Sequence, residues 1–210
     1  MKLYDMKMAP NPRRVRMFLA EKSLDVEHIE INLMEGENLN EEFLKINPRG
    51  VIPTLELDDG HFLDETVAIC RYLEELHPEP NLLGTDAFSK ANIESCQRQV
   101  EFDGFLPLLD QFRNTFPAFS ERGVPGLPAE YKAIPELAER GQRRYQLFMI
   151  NLNKRLANQK YIAGDTFSIA DITAICAIDF AKMLEIELAE NESHSRRWYD
   201  DVSSRPSASV

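Results

Sequence analysis

The sequence is poor in cysteine, poor in basic residues relative to acidic ones, and free of long apolar runs. Its three cysteines, Cys70, Cys96 and Cys176, are far apart and odd in number, which argues against a disulfide framework or a metal cluster. Lys and Arg number 24 against 35 Asp and Glu, so the net charge of -11 disfavours a nucleic-acid or anionic-membrane surface. No stretch approaches the roughly 20 apolar residues of a membrane span, and residues 1–5 carry no leader pattern. We therefore expect a cytoplasmic protein with no metal, nucleic-acid or membrane partner.

What is present indicates an ordinary globular chain. Of the 210 residues, 43% are apolar and 28% charged, enough to bury one large core or two small ones. Periodicity and turn signals in the first 77 residues predict the order β-α-β-α-β-β-α. The predicted elements are strand 2–5, helix 12–22, strand 26–31, short helix 42–46, strand 54–57, strand 61–63, and a helix from Glu65 capped by Asp64.

The second half of the chain has a different character. Proline, asparagine and glycine between residues 78 and 84 indicate a linker. After residue 85 the pattern is helical only, with predicted helices 86–116, 130–158, 168–185 and 194–204 and a break at 117–128. The fold class is therefore α/β followed by all-α, with predicted domains at 1–78 and 86–210.

Four segments, in this order, resemble the glutathione S-transferase family over nearly the whole chain. They are Leu3-Tyr4 with Pro10-Asn11-Pro12-Arg13-Arg14-Val15, Asn47-Pro48 with Val51-Ile52-Pro53-Thr54-Leu55, Glu65-Thr66-Val67-Ala68-Ile69, and Ala163-Gly164-Asp165 with Phe167-Ser168-Ile169-Ala170-Asp171. The resemblance implies a thioredoxin-like N-terminal domain, a helical-bundle C-terminal domain, and glutathione as co-substrate. It also implies a homodimer in which the α/β domain of one subunit meets the helical domain of the other.

The resemblance assigns glutathione-binding roles to five residues. Ile52-Pro53 would have a cis peptide bond, and the Ile52 backbone would pair with the cysteinyl backbone of glutathione. Glu65 would take the γ-glutamyl ammonium, and Thr66, at a helix N-terminus, the α-carboxylate. Asn38 lies where relatives place a donor for the glycyl carboxylate, although a plain loop role fits it equally well.

The catalytic position is where the sequence departs from the family. Many members stabilise the glutathione thiolate with a serine, tyrosine or cysteine in the loop after the first strand, but here the serine-like position is Ala9. Tyr4 matches the common tyrosine that is not catalytic. The remaining candidate donor is the amide of Asn11, as in bacterial disulfide-reducing members with Thr-Pro-Asn. A turn-forming role for Asn11 is the alternative.

The remaining residues of interest are assigned to a second-substrate pocket or to structural roles. The second-substrate pocket is expected to include Met6, Met8 and Phe105. The pair Ser168 and Asp171 has the spacing of a capping box and is read as structural. The cysteines are read as buried small hydrophobes, and the run Arg13, Arg14, Arg16 as a solvated helix face.

Two functions remain open from the sequence. The first is an enzyme that conjugates glutathione to a small electrophile, or uses it to reduce a disulfide or peroxide. The alternative is a non-catalytic glutathione-transferase-like binding or regulatory protein, which the alanine at position 9 favours.

Overall fold

A computed structural model of the chain describes residues 1–127 and 130–210. The N-terminal part consists of β1 (Lys2–Asp5), α1 (Pro10–Glu21), β2 (Glu27–Glu30), α2 (Glu41–Ile46), β3 (Thr54–Glu56), β4 (Phe62–Asp64) and α3 (Thr66–Leu76). This order confirms the predicted β-α-β-α-β-β-α pattern. The four strands form one mixed sheet in the order β2-β1-β3-β4, with β1 parallel to β2 and antiparallel to β3. The thioredoxin-like prediction is thereby confirmed.

The remainder of the described chain is helical. It consists of α4 (Ala87–Gln99), a π-helical segment (Val100–Phe105), α5 (Leu106–Thr115), α6 (Pro135–Leu156), α7 (Ile169–Lys182) and α8 (Ser193–Ser203). The predicted helix 130–158 begins later than expected, at Pro135, because a proline fits the first helical position and not an interior one. The predicted break at 117–128 is confirmed as non-α-helical through Leu127, and Pro128 lies outside the described residues.

The π-helical segment is a feature that the sequence pattern did not reveal. Periodicity predicted one continuous helix, but the turn widens between α4 and α5. Gly104 lies there against Phe148, and a Cβ at this position would come within 2.7 Å of the Phe148 ring. The wider turn places Glu101 and Phe105 toward the N-terminal part of the chain, where both line the cavity described below.

Helix α7 forms the centre of the helical part. All but two of its fourteen residues are buried, which explains its continuous apolar sequence. The predicted capping box at its start is confirmed: Asp171 Oδ2 accepts hydrogen bonds from the Ser168 backbone and hydroxyl, at 3.0 and 3.1 Å. Asp171 Oδ1 accepts from Ile162 N at 3.0 Å and Trp198 Nε1 at 2.8 Å, so one carboxylate joins three segments.

The prediction that Arg13, Arg14 and Arg16 form a solvated helix face is wrong. Arg13 pairs with Asp179 of α7 at 2.7 Å, and Arg16 pairs with Asp5 of β1 at 2.5 Å. Arg14 is 2% exposed. The helix that carries them lies between the sheet and α7, so a face that looked polar in sequence is enclosed by the tertiary structure.

All three cysteines are buried and free, as predicted. Burial raises the pKa of Cys70 to about 12 and that of Cys176 to about 11, because a thiolate is poorly solvated there. We therefore expect the native thiols to react with 5,5′-dithiobis(2-nitrobenzoate) at least ~100-fold more slowly than free glutathione. Absorbance at 412 nm would report this, with the urea-unfolded chain, which should release three equivalents, as the control. Fast release of one equivalent from the native protein would contradict the expectation.

Candidate functional site

A cavity of ≈ 970 Å³ lies between the N-terminal α/β part and the helices. It contains every residue that the sequence placed at a site: Met6, Met8, Asn11, Asn38, Ile52, Pro53, Glu65, Thr66 and Phe105. The volume is near the upper end of the ~300–1,000 Å³ range of ligand pockets. It is large enough for two small molecules to lie side by side.

Asn11 sits at the cavity wall with its amide held from one side. Arg14 Nη1 donates to Asn11 Oδ1 at 3.0 Å, since the two residues are one helical turn apart. The Nδ2 group donates to no acceptor within residues 1–127 and 130–210. The amide is therefore oriented with its acceptor engaged and its donor available to a molecule in the cavity.

Arg14 is itself fixed by partners from the helical part. Its Nη2 donates to Glu101 in the π-helical segment at 2.9 Å, and its Nε donates to Thr173 of α7 at 3.1 Å. The guanidinium carbon lies 5.0 Å from the centre of the Phe105 ring. Sequence reasoning missed Arg14 as a site residue. Its spacing of three from Asn11 was the only available signal.

The first turn of α1 supplies few other donors. Its residues 10 and 12 are prolines and have no N–H, and the Arg13 N–H donates to Ala9 O at 3.2 Å. The Asn11 N–H is thus the only backbone donor that this turn leaves free. The Arg13 N–H is therefore not available to a ligand.

The start of α3 forms a second polar wall. The helix begins at Thr66, one residue later than predicted, and Glu65 precedes it with φ = 67°. That backbone conformation is unusual for a residue with a side chain, and such residues cluster at functional sites. Asp64 does not cap the helix, since its carboxylate accepts from Arg49 at 2.9 Å. Arg49 also donates to Glu65 at 2.6 Å and compensates part of that charge.

Thr66 is buried and presents a hydroxyl beside the free N–H groups of the first helical turn. The hydroxyl donates weakly to Asn11 O at 3.5 Å, which links the starts of α1 and α3. Between these two helix ends, the Ile52–Pro53 peptide bond is cis, as the resemblance implied. Glu79–Pro80 is a second cis bond, which the sequence reasoning did not anticipate.

Asn38 completes the polar wall of the cavity, which consists of Asn11, Asn38, the Ile52–Pro53 bond, Glu65 and Thr66. It is buried, and Nδ2 donates to Gly50 O at 2.6 Å, whereas Oδ1 has no partner among the described residues. One N–H of the amide remains for a ligand. Through the bond to Gly50, Asn38 holds the loop that precedes Ile52.

The remaining wall is apolar and comes mainly from the helical part. It includes Phe105, Leu109, Phe112, Phe116, Phe180 and Met183, with Met6 and Met8 from the loop after β1. Phe105 is fully buried, whereas Met8 is 65% exposed at the entrance. Tyr4 is not part of this wall: its hydroxyl donates to Glu56 at 2.7 Å. Burial raises the pKa of Tyr4 to about 12.

Two absences hold for the described residues. No group of three or more His, Cys, Asp or Glu side chains is placed to hold a metal ion. Among residues 1–127 and 130–210, no helix combines the length and the apolar character needed to cross a membrane.

Comparison with known proteins matches both halves of the chain to one family. The model of the glutathione S-transferase N-terminal domain matches residues 3–81, and that of the C-terminal domain matches residues 117–206. Glutathione S-transferase 2 of Saccharomyces cerevisiae is 34% identical over 207 residues, which is 98% of this chain and 86% of that protein. Glutathione S-transferase F9 of Arabidopsis thaliana is 28% identical over 93% of this chain and 89% of its own.

Comparison with solved structures gives the same family. The crystal structure of Gtt2 from Saccharomyces cerevisiae superposes with a TM-score of 0.91 at 33% identity, covering 100% of this chain and 99% of that one. A class Gtt2 glutathione S-transferase of Vibrio parahaemolyticus gives a TM-score of 0.83 at 36% identity, covering 99% and 94%. A thioredoxin-like domain joined to a helical domain, with a cavity between them, is the glutathione S-transferase architecture. The chain belongs to the glutathione S-transferase family, and its predicted transferase-like function is confirmed at that level.

Proposed function

We propose that this chain binds glutathione in the ≈ 970 Å³ cavity and transfers its thiolate to a small electrophile. The observation that carries the proposal is the convergence of the starts of α1 and α3 and the Ile52–Pro53 bond on one cavity wall. Each supplies a group that glutathione needs. The chain's membership of the glutathione S-transferase family indicates that the ligand is glutathione.

The polar wall matches glutathione along its length. The Thr66 hydroxyl and the free N–H groups of α3 suit the γ-glutamyl carboxylate, and the Glu65 carboxylate suits the ammonium. The Ile52 backbone suits the cysteinyl backbone. Asn38 keeps one N–H for the glycyl carboxylate, although its bond to Gly50 also gives it a structural role.

The chemical task is to ionise the bound thiol. A free thiol has a pKa of about 8.5, so only a small fraction is thiolate at pH 7. We propose that Asn11 Nδ2 donates to the sulfur, aided by the Asn11 N–H and the dipole of α1. Conjugation then forms a carbon–sulfur bond, the leaving group departs with its electron pair, and the thiol proton passes to solvent.

Disulfide or peroxide reduction is the other chemistry open to this site. No cysteine is among the residues that line the cavity. The protein cannot form a mixed disulfide there, so a second glutathione thiolate would complete the reduction. The apolar wall supports conjugation of an aromatic electrophile as the first reaction to test.

A non-catalytic binding protein is the second candidate, and Ala9 is the observation that favours it. With no hydroxyl at that position, thiol ionisation depends on Asn11 and the dipole of α1. The thiol pKa of bound glutathione, read from thiolate absorbance at 240 nm, separates the two. A value below 7.5 supports the enzyme, and an unshifted value supports the binding protein.

We also propose a cytoplasmic homodimer with domain boundaries at 1–78 and 86–210. Exposed apolar side chains on neighbouring elements, Leu76 of α3 and Phe88 near the start of α4, support a covered surface there. Light scattering after size-exclusion chromatography would give the mass, and a monomer would remove the dimer from the proposal.

Thr66→Val tests the glutathione site directly. The variant keeps the side-chain shape and removes the hydroxyl, so we expect the Kd for glutathione to rise about tenfold, the equivalent of one hydrogen bond to a charged group. Isothermal titration calorimetry measures this, with Thr166→Val at an exposed position as the matched control. No binding of millimolar glutathione by the wild type would refute the proposed function.

A further inference from the structure

Arg113 lies in the apolar wall of the cavity, among aromatic rings. It is on α5, and its guanidinium carbon is 4.4 Å from the centre of the Phe119 ring. Phe112 stacks on Phe116 at 4.9 Å and meets Phe180 edge-on at 5.1 Å. A half-buried positive charge thus borders an aromatic surface that is open to the cavity.

No carboxylate of residues 1–127 and 130–210 lies within 4 Å of Arg113. The other arginines that line the cavity have carboxylate partners: Arg14 pairs with Glu101, Arg49 with Glu65 and Arg98 with Glu94. In a chain with a net charge of -11, a cavity arginine without a carboxylate partner is unusual. The ring of Phe119 attracts the guanidinium but does not neutralise its charge.

A second arginine adds to this positive charge. Arg122 is 5.6 Å from the Phe119 ring centre. Within the described part of the chain it donates only to main-chain carbonyls, among them Met34 O at 3.2 Å and Ala118 O at 3.3 Å. Burial, together with the positive charge of Arg122, lowers the pKa of Arg113 to about 10. Arg113 therefore remains protonated at pH 7, and a bound anion would relieve its cost of burial.

We propose that Arg113 binds a carboxylate carried by the second substrate, whose aromatic ring packs on Phe112, Phe116 and Phe180. The inference rests on the proposed function and names its substrate class: aromatic electrophiles with an anionic group. The thiolate attacks the ring carbon that bears a halide, the carbon–sulfur bond forms, and the halide leaves with its electron pair. Arg113 orients the ring through the carboxylate and takes no part in the bond changes.

The position of Arg113 favours the second substrate over glutathione. It extends from the same helix as Leu109 and Phe112, on the apolar wall. The groups suited to the charged γ-glutamyl end of glutathione, Glu65 and Thr66, lie at the start of α3. The remaining competitor for Arg113 is the glycyl carboxylate, and the experiment must separate the two.

The test compares 4-chloro-3-nitrobenzoate with its methyl ester, which has the same reacting carbon but no charge. For the wild type and Arg113→Gln, kcat/KM is measured for each electrophile, and KM is measured for glutathione. The ratio of variant to wild type cancels the different reactivity of the two electrophiles. Arg143→Gln, which removes an exposed charge on α6 outside the cavity, controls for long-range electrostatics.

We expect Arg113→Gln to lower kcat/KM for the acid at least about tenfold more than for the ester, as loss of a charge-assisted bond requires. Arg113→Lys should recover part of the difference, and Arg143→Gln should show none. Equal losses for acid and ester would overturn the inference. A higher KM for glutathione with both electrophiles would also overturn it, because Arg113 would then serve glutathione.

A binding measurement keeps the test independent of turnover. Calorimetric titration with the acid alone and the ester alone should show a preference for the acid that Arg113→Gln loses. No preference in the wild type overturns the inference while leaving glutathione binding intact. Failure of glutathione itself to bind is seen in a separate titration and counts against the proposed function.

Discussion

Replacing Asn11 with alanine is expected to raise the thiol pKa of bound glutathione by about 1–2 units and to lower kcat/KM by about 10–100-fold. The reason is that Nδ2 is the side-chain donor that Arg14 leaves free at the start of α1, where two prolines remove backbone donors. A hydrogen bond to a charged group contributes about 1.5–3 kcal/mol, and each pKa unit corresponds to about 1.4 kcal/mol. Thiolate absorbance at 240 nm across a pH titration measures the shift.

The control variants separate donation from folding. Asn11→Ser restores a donor on a shorter side chain and should recover part of the rate. Asn11→Asp keeps an acceptor for Arg14 but replaces the donor with a negative charge, so its thiol pKa should exceed that of Asn11→Ala. Asn158→Ala, at an exposed position after α6, should match the wild type. Unchanged ionisation and turnover in Asn11→Ala would remove Asn11 from the mechanism and leave the turn-forming role.

The second large effect concerns stability. Asp171→Ala is expected to lower the free energy of unfolding at pH 7 by roughly 4 kcal/mol, because it leaves several buried donors without an acceptor. These are Ile162 N, Ser168 N and Trp198 Nε1. Urea unfolding followed by circular dichroism measures the change. Asp165→Ala, at an exposed position in the loop before α7, should change it by less than about 0.5 kcal/mol.

Asp171 also predicts a pH dependence. Burial raises its pKa to about 6 in the folded protein, from 3.8, and the carboxylate hydrogen bonds only partly oppose this. The folded state therefore holds this proton more tightly than the unfolded state. The Asp171 proton therefore adds roughly 3 kcal/mol to the free energy of unfolding below about pH 4. This contribution is lost as the pH rises through about 6.

Comparing the wild type with Asp171→Ala isolates the contribution of Asp171 to the pH dependence of stability. The wild-type advantage over Asp171→Ala in unfolding free energy should be larger at pH 4 than at pH 7, if both proteins fold at pH 4. An advantage that instead grows with pH would show that the hydrogen bonds hold the pKa of Asp171 below its unfolded value.

The polar wall illustrates how far the sequence leads. Pro53, Glu65 and Thr66 are recognisable because each stands beside a turn or helix start with its own local signal. Only the tertiary structure brings them together with Asn11 at one cavity, because residues 11, 53 and 66 meet through the sheet and its flanking helices. The role of each in binding stays a prediction.

Arginines mark the limit of sequence reasoning. Arg13, Arg14 and Arg16 read as a solvated face because charged residues are usually exposed. Whether a guanidinium is buried depends on carboxylates far along the chain, and Glu101 is 87 residues from Arg14. Arg113 is the converse case, for its lack of a nearby carboxylate is visible only once the aromatic cluster around it has formed.

The sequence by itself determined the order of elements, the change from α/β to helical structure, the buried cysteines and the capping box of α7. These depend on local periodicity and on residues within one helical turn, which a linear pattern records. The tertiary structure decided the π-helical segment, the orientation of the Asn11 amide, and the arginine in the apolar wall. Those depend on pairs of groups distant in the chain, whose charge and burial are set only when the helices pack on the sheet.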